Sequence, residues 1–117
     1  MKLAADIATG IVALLHLWFM VLEIFLWDKP FGRRAFAMSV EQAAATKTLA
    51  MNQGLYNGFL AAGLAWALLL GPTGYAMKLF FLLCVLGAGI FGALTASRKI
   101  FWIQAMPAGV ALVLLHL

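Results

Sequence analysis

The sequence predicts an all-α membrane protein: a bundle of four transmembrane helices with a long second helix and both termini on the outer side. Three observations predict it. Hydrophobic residues make up 66% of the 117-residue chain and charged residues 10%, with a mean hydropathy of +1.04. A soluble domain carries roughly a quarter of its residues as charges, so this chain cannot wet its surface. A soluble globular enzyme, a disordered chain and a nucleic-acid module are excluded. The second observation is a set of four long apolar segments separated by short polar turns. The third is an uneven sharing of Lys and Arg between those turns. The net charge of +4 does not signal nucleic acid, because the basic residues stand between apolar runs and form no patch on a polar face. A single cysteine, Cys84, leaves no intrachain disulfide and no Cys-based metal cage.

A helix needs about 20 apolar residues to cross a hydrocarbon core of about 30 Å, and the backbone must pair within each crossing segment. Residues 7–27 form the first span. They follow Lys2 as a secretory signal would, but the apolar run outlasts a signal core and contains His16 and Glu23. Trp27-Asp28-Lys29-Pro30 follows in place of a small-residue cleavage site, so the helix is retained. Pro30 disfavours helical geometry at Lys29 and ends it. Ser39 with Gln42 three residues later resembles a capping box, which starts the second helix near Val40. Its apolar core is residues 49–70. From Val40 to Leu70 it measures about 46 Å at 1.5 Å per residue, so its first turns stand in the interface or tilt. Gly71-Pro72-Thr73-Gly74 is a tight turn. Residues 76–96 form the third span. Ser97-Arg98-Lys99 turns into the fourth, residues 100–117, where Pro107 kinks the helix and frees a carbonyl beside Gln104. Residues 1–117 read as a single integral membrane domain.

Lys and Arg set the orientation. Lys29, Arg33, Arg34, Lys47, Arg98 and Lys99 share one side; Lys2 and Lys78 share the other. Six against two places the first and third loops in the cytoplasm and both termini outside. The check is thiol labelling of Arg33→Cys and Thr73→Cys in intact cells. The Thr73 site should label from outside, and labelling of the Arg33 site would reverse the orientation.

Polar side chains within spans are costly and usually face a bundle interior or cavity. Here they are His16, Glu23, Asn52, Gln53, Asn57 and Gln104. Glu23 lies about 6 Å inside the first helix's cytoplasmic end. Asn52, Gln53 and Gln104 lie at a similar depth on the second and fourth helices. His16 precedes Glu23 by two turns on one face, with Thr9 seven residues earlier, and Gln53 precedes Asn57 by one turn. The six are the candidate ligand-binding residues, with Gln53 and Asn57 ranked above Asn52 for the interior. Glu23 and His16 are the catalytic candidates. The plainer reading of Asn52 or Gln104 alone is hydrogen-bonded glue between helices. The pair of Glu23 and His16 is either a neutralised structural contact or an acid/base pair.

No metal site and no cofactor are expected. His16 and His116 differ by about 13 Å in depth, too far for one haem iron. Gly54, Gly58 and Ala62 recur every four residues, as do Ala88 and Gly92. Such rows indicate a tight bundle or a homodimer face.

The runs Leu22-Glu23-Ile24-Phe25-Leu26-Trp27, Asn52-Gln53-Gly54-Leu55-Tyr56-Asn57-Gly58-Phe59-Leu60-Ala61-Ala62-Gly63-Leu64 and Gly89-Ile90-Phe91-Gly92-Ala93-Leu94-Thr95 resemble the small bacterial membrane proteins named "domain of unknown function 1304". Gly32-Arg33-Arg34 and the segment from Gln104 to Pro107 fit as well, so the resemblance covers nearly the whole chain. It implies a four-span inner-membrane protein and carries no activity with it.

Three functions follow from the polar set. The first is binding or proton-linked transport of a small lipophilic or cationic molecule in a cytoplasm-facing polar cavity. The second is an intramembrane acid/base enzyme, isomerase- or cyclase-like, on a lipophilic substrate. The third is a structural or regulatory subunit. The partners expected are the lipid bilayer, a small lipophilic ligand and a second copy of the chain, with no nucleic acid.

Overall fold

The computed structural model describes residues 2–117, and these are all-α. Five helices follow in order: α1 Lys2–Phe25, α2 Pro30–Ala35, α3 Val40–Leu69, α4 Tyr75–Thr95 and α5 Met106–Leu115. A 3₁₀ turn, Gly71–Gly74, joins α3 to α4, and a π-helical segment, Phe101–Ala105, leads into α5.

The helix ends follow from local chemistry. Pro30 stands at the start of α2, where its missing N–H is one that no helix would pair. The chain after Trp27 therefore re-enters helix, where the sequence suggested a plain loop. At the other end of α2, Ala37 has φ 52°. The Met38 N–H donates to the Arg33 carbonyl at 2.9 Å and the Ala37 N–H to the Arg34 carbonyl at 3.3 Å. This is a Schellman closure with alanine in the left-handed position that glycine usually takes. The capping box of α3 forms as expected: the Gln42 N–H donates to Ser39 Oγ at 3.0 Å, and the Ser39 N–H to Gln42 Oε1 at 2.9 Å. Pro107 lacks the N–H for an ordinary turn. The irregularity it causes is spread through the preceding π segment, where the Met106 N–H reaches back to the Phe101 carbonyl.

Burial recurs at alternating spacings of four and three. On α1 the buried residues include Ala5, Thr9, Val12 and His16; on α3, Ala50, Gly54, Asn57, Ala61 and Leu64; on α4, Lys78, Leu82, Val85 and Gly89. The mean period of 3.5 is that of helices packing side by side. These seams are rich in small residues, whereas Leu14, Trp66, Phe80 and Phe91 are exposed. In water that order would be costly. Between lipid tails it is favourable, since small residues let backbones approach and bulky apolar ones meet hydrocarbon.

Two helical stretches, Lys2–Phe25 and Gly71–Thr95, are long and apolar enough to cross a membrane. Only 22% of the most apolar stretch of each is buried, unlike the core helix of a soluble protein. Phe101–Leu115 is apolar but shorter.

Two compact units are present. One comprises the residues up to Leu14 with Leu60–Leu117. Its core is Val12, Leu64, Leu82, Val85, Ala108 and Ala111, so α1, α3, α4 and α5 all contribute. Gly89 lies where an added Cβ would stand 2.4 Å from the Ala105 backbone N. The other unit is Leu15–Phe59: the rest of α1, α2 and the first two-thirds of α3.

Candidate functional site

Within Leu15–Phe59 the candidate site is built by glycine. A Cβ at Gly54 would lie 2.7 Å from Ile24 Cγ1, 3.0 Å from Glu23 Cβ and 3.3 Å from the Met20 carbonyl oxygen. One at Gly58 would lie 2.8 Å from Met20 Sδ. Hydrogen in both places lets α1 and α3 close up around Glu23. One turn beyond Gly54, the Asn57 side-chain N–H donates to Glu23 Oε1. Asn57 is buried and Glu23 half-buried. The first two members of the Gly54–Gly58–Ala62 row are thus used inside the chain, while Ala62 is exposed.

The other expected residues are placed as follows. His16 is fully buried, two turns before Glu23 on α1, with its ring edge-on to Phe19 at 5.2 Å between centroids. Asn52 and Gln53 are both exposed. The expected ranking of Gln53 with Asn57 therefore does not hold in this chain, because the seam of α3 steps Ala50, Gly54, Asn57 and leaves Gln53 beside it. Gln104 belongs to the other unit and is half-buried. Among the described residues no three His, Cys, Asp or Glu side chains converge as metal ligands would.

The first turns of α3 are tied to the residues just after α1. Trp27 Nε1 donates to Thr46 Oγ1 at 3.0 Å, and Thr46 Oγ1 donates to the Gln42 carbonyl at 2.7 Å. Lys47 Nζ pairs with Asp28 Oδ2 at 3.0 Å. The hydrogen bond from Lys47 holds the Asp28 carboxyl below its ordinary value. That contribution is complete above the unfolded carboxyl's range and fades as pH falls through the lowered one. Both partners are partly exposed, so its share of stability is small.

The other unit holds a buried lysine. By charge Lys78 groups with Lys2 on the outer side, yet its side chain is 6% exposed and its Nζ donates to Asp6 Oδ1 at 2.9 Å. The signal was its register: Lys78 opens the seam that continues through Leu82 and Val85. Asp6 and Lys78 border a cavity of about 420 Å³, together with Lys2, Tyr75 and Leu117. Tyr75 Oη and His116 Nε2 lie 2.8 Å apart, so His116 is engaged by α4. Lys78→Met is expected to lower stability by about 1–3 kcal/mol, because it strands Asp6. Adding Asp6→Asn should recover most of the loss. Thermal unfolding of the two single variants and the double variant measures the coupling.

The family described as protein of unknown function (DUF1304) matches residues 10–116. The chain is similar to the uncharacterized protein YpaA of Lactococcus lactis subsp. lactis (strain IL1403), with 30% identity over 115 residues and coverage of 97% of each chain. No solved structure matches it at a significant level.

Proposed function

This chain belongs to the DUF1304 family, as a small multi-pass protein of the bacterial inner (plasma) membrane, and from that premise we propose that it binds a small lipophilic cation at Glu23 in exchange for a proton. The reading includes four spans, with α1, α3, α4 and the stretch Phe101–Leu115 each crossing the bilayer. It also places both termini outside and α2 in the cytoplasm, and it confines the site to Glu23, His16 and Asn57.

One observation carries the reading. Glu23 is a carboxyl on a membrane helix whose hydrogen-bond partner is an amide, with no lysine or arginine paired to it among the described residues. An amide orients a carboxylate without cancelling its charge. The charge is then balanced by a proton or by a cation from the membrane. His16, buried two turns deeper on the same helix, supplies a second titratable group on that face.

The test is retention of radiolabelled tetraphenylphosphonium by the purified protein in uncharged detergent at pH 6 and pH 8. Saturable binding that is weaker at pH 6, where protons compete, is expected. Absence of saturable binding at both pH values contradicts the proposal and leaves the Glu23–Asn57 contact as helix packing.

A further inference from the structure

The α2 turn carries features that neither the helix packing nor the Glu23 site uses. Pro30, Arg33, Arg34, Ala37 and Met38 line a cavity of about 370 Å³. Two of these five side chains are guanidinium groups. The carboxylate closest in sequence, Asp28, is occupied by Lys47, and among the described residues neither arginine is in an ion pair. Arg33 Nε is buried and has no hydrogen-bond acceptor among the described residues. A buried donor without an acceptor costs about 1–3 kcal/mol, more for a charged group. The backbone here is also held at a cost. Ala37 sits at φ 52°, a conformation worth about 1–2 kcal/mol against any residue with a Cβ. Such strain persists where surrounding structure enforces it, and it clusters at ligand sites. Gly32 fixes the approach of the turn to the end of α1, since a Cβ there would lie 1.8 Å from the Leu26 carbonyl oxygen.

We propose that this turn is a phosphate-binding site, in which Arg33 and Arg34 together take the phosphate of an anionic ligand. The chemistry follows from the donors. A guanidinium offers Nε–H and a terminal N–H as a planar fork, which matches two oxygens of a phosphate. The backbone carbonyls of Arg33 and Arg34 are already satisfied by the Schellman closure, so the side chains are free of the backbone's demands. The same chemistry serves a phospholipid headgroup or a free phosphate. Phe31 and Phe36 are exposed beside the turn, and Phe31 stacks edge-on against Trp18 on α1 at 6.0 Å. An apolar rim around a cationic cavity suits the headgroup of an anionic lipid.

The experiment titrates purified protein in uncharged detergent with sodium phosphate, with dihexanoylphosphatidylglycerol and with dihexanoylphosphatidylcholine, reading ³¹P line broadening and the thermal midpoint. Saturable binding of the phosphatidylglycerol is expected, with phosphatidylcholine much weaker. Arg33→Gln and Arg34→Gln should each weaken it at least tenfold, while Arg98→Gln, in a different basic turn, should not. Arg33→Lys separates a fork from a diffuse charge. It keeps the charge and lacks Nε, so it should lose most of the affinity that Arg33→Gln loses. Binding of inorganic phosphate with the same dependence on Arg33 supports the site and assigns it to free phosphate. Helix content by circular dichroism confirms that each variant is folded, and Arg34→Gln carries the test if Arg33 variants are not. Equal affinity in Arg33→Gln, Arg34→Gln and Arg98→Gln, or no saturable binding of either anion, overturns the proposal.

Discussion

Glu23→Gln is expected to abolish saturable binding of tetraphenylphosphonium while leaving a folded protein at least as stable as wild type. The two side chains have nearly the same shape. The glutamine carbonyl can still accept the hydrogen bond that Asn57 donates to Glu23, so the contact between α1 and α3 survives. What disappears is the only charge in the contact. A charged residue at a helix centre in the bilayer costs about 2.5–3.5 kcal/mol on insertion scales and less near the interface, so its removal does not destabilise the fold. Loss of the ion pair with the probe should weaken binding at least tenfold, which is about 1.4 kcal/mol or more. Asn57→Ala should show the opposite pattern: stability falls by about 1 kcal/mol with the lost interhelical hydrogen bond, and probe binding persists because the carboxyl remains. Probe retention and thermal midpoint measured together distinguish the two. Unchanged retention in Glu23→Gln with equal or higher stability would assign Glu23 to packing alone.

A large effect on the fold is expected at Gly89. An added Cβ would meet Ala105 at its backbone N at 2.4 Å and at its Cα and Cβ at 2.8 Å. A backbone cannot swing aside as a long side chain can. Gly89→Ala must therefore push α4 away from the π segment or distort it, at a cost of about 2–3 kcal/mol. Gly87, two residues earlier on the same helix, has no neighbour within 4 Å of an added Cβ. Gly87→Ala should be neutral or stabilising by up to about 1 kcal/mol, since alanine is the better helix former. Unfolding measured side by side in one detergent makes each variant the control for the other. Equal stability of the two would mean that the close approach at Ala105 is not maintained in the protein.

The register of the helices was legible in the sequence, and the pairing of their seams was not. Capping chemistry is local, so Ser39 and Gln42 located the start of α3, and Gly71–Gly74 located its end. Depth along a helix is also local, which is why Glu23 and Asn57 could be singled out. Their contact depends on Gly54 letting α1 approach. That is a property of two helices, and the spacing of Gln53 and Asn57 alone pointed to the wrong neighbour. The same limit hid Lys78, whose ion pair with Asp6 joins residues 72 positions apart. Spacing of four suggested the row Ala88 and Gly92, while on α4 Ala88 is exposed and Gly89 is buried against the Ala105 backbone, because packed helices follow alternating steps of four and three. The strained Ala37 had no local signal, since the left-handed position usually shows itself by glycine.

The most direct measurement of the central claim is proton release in weakly buffered detergent solution on adding tetraphenylphosphonium at neutral pH. Release of up to one proton for each cation bound is expected from wild type, and none from Glu23→Gln under the same conditions. Cation binding by wild type without release, or release of the same size from Glu23→Gln, would contradict the exchange of a cation for a proton at Glu23.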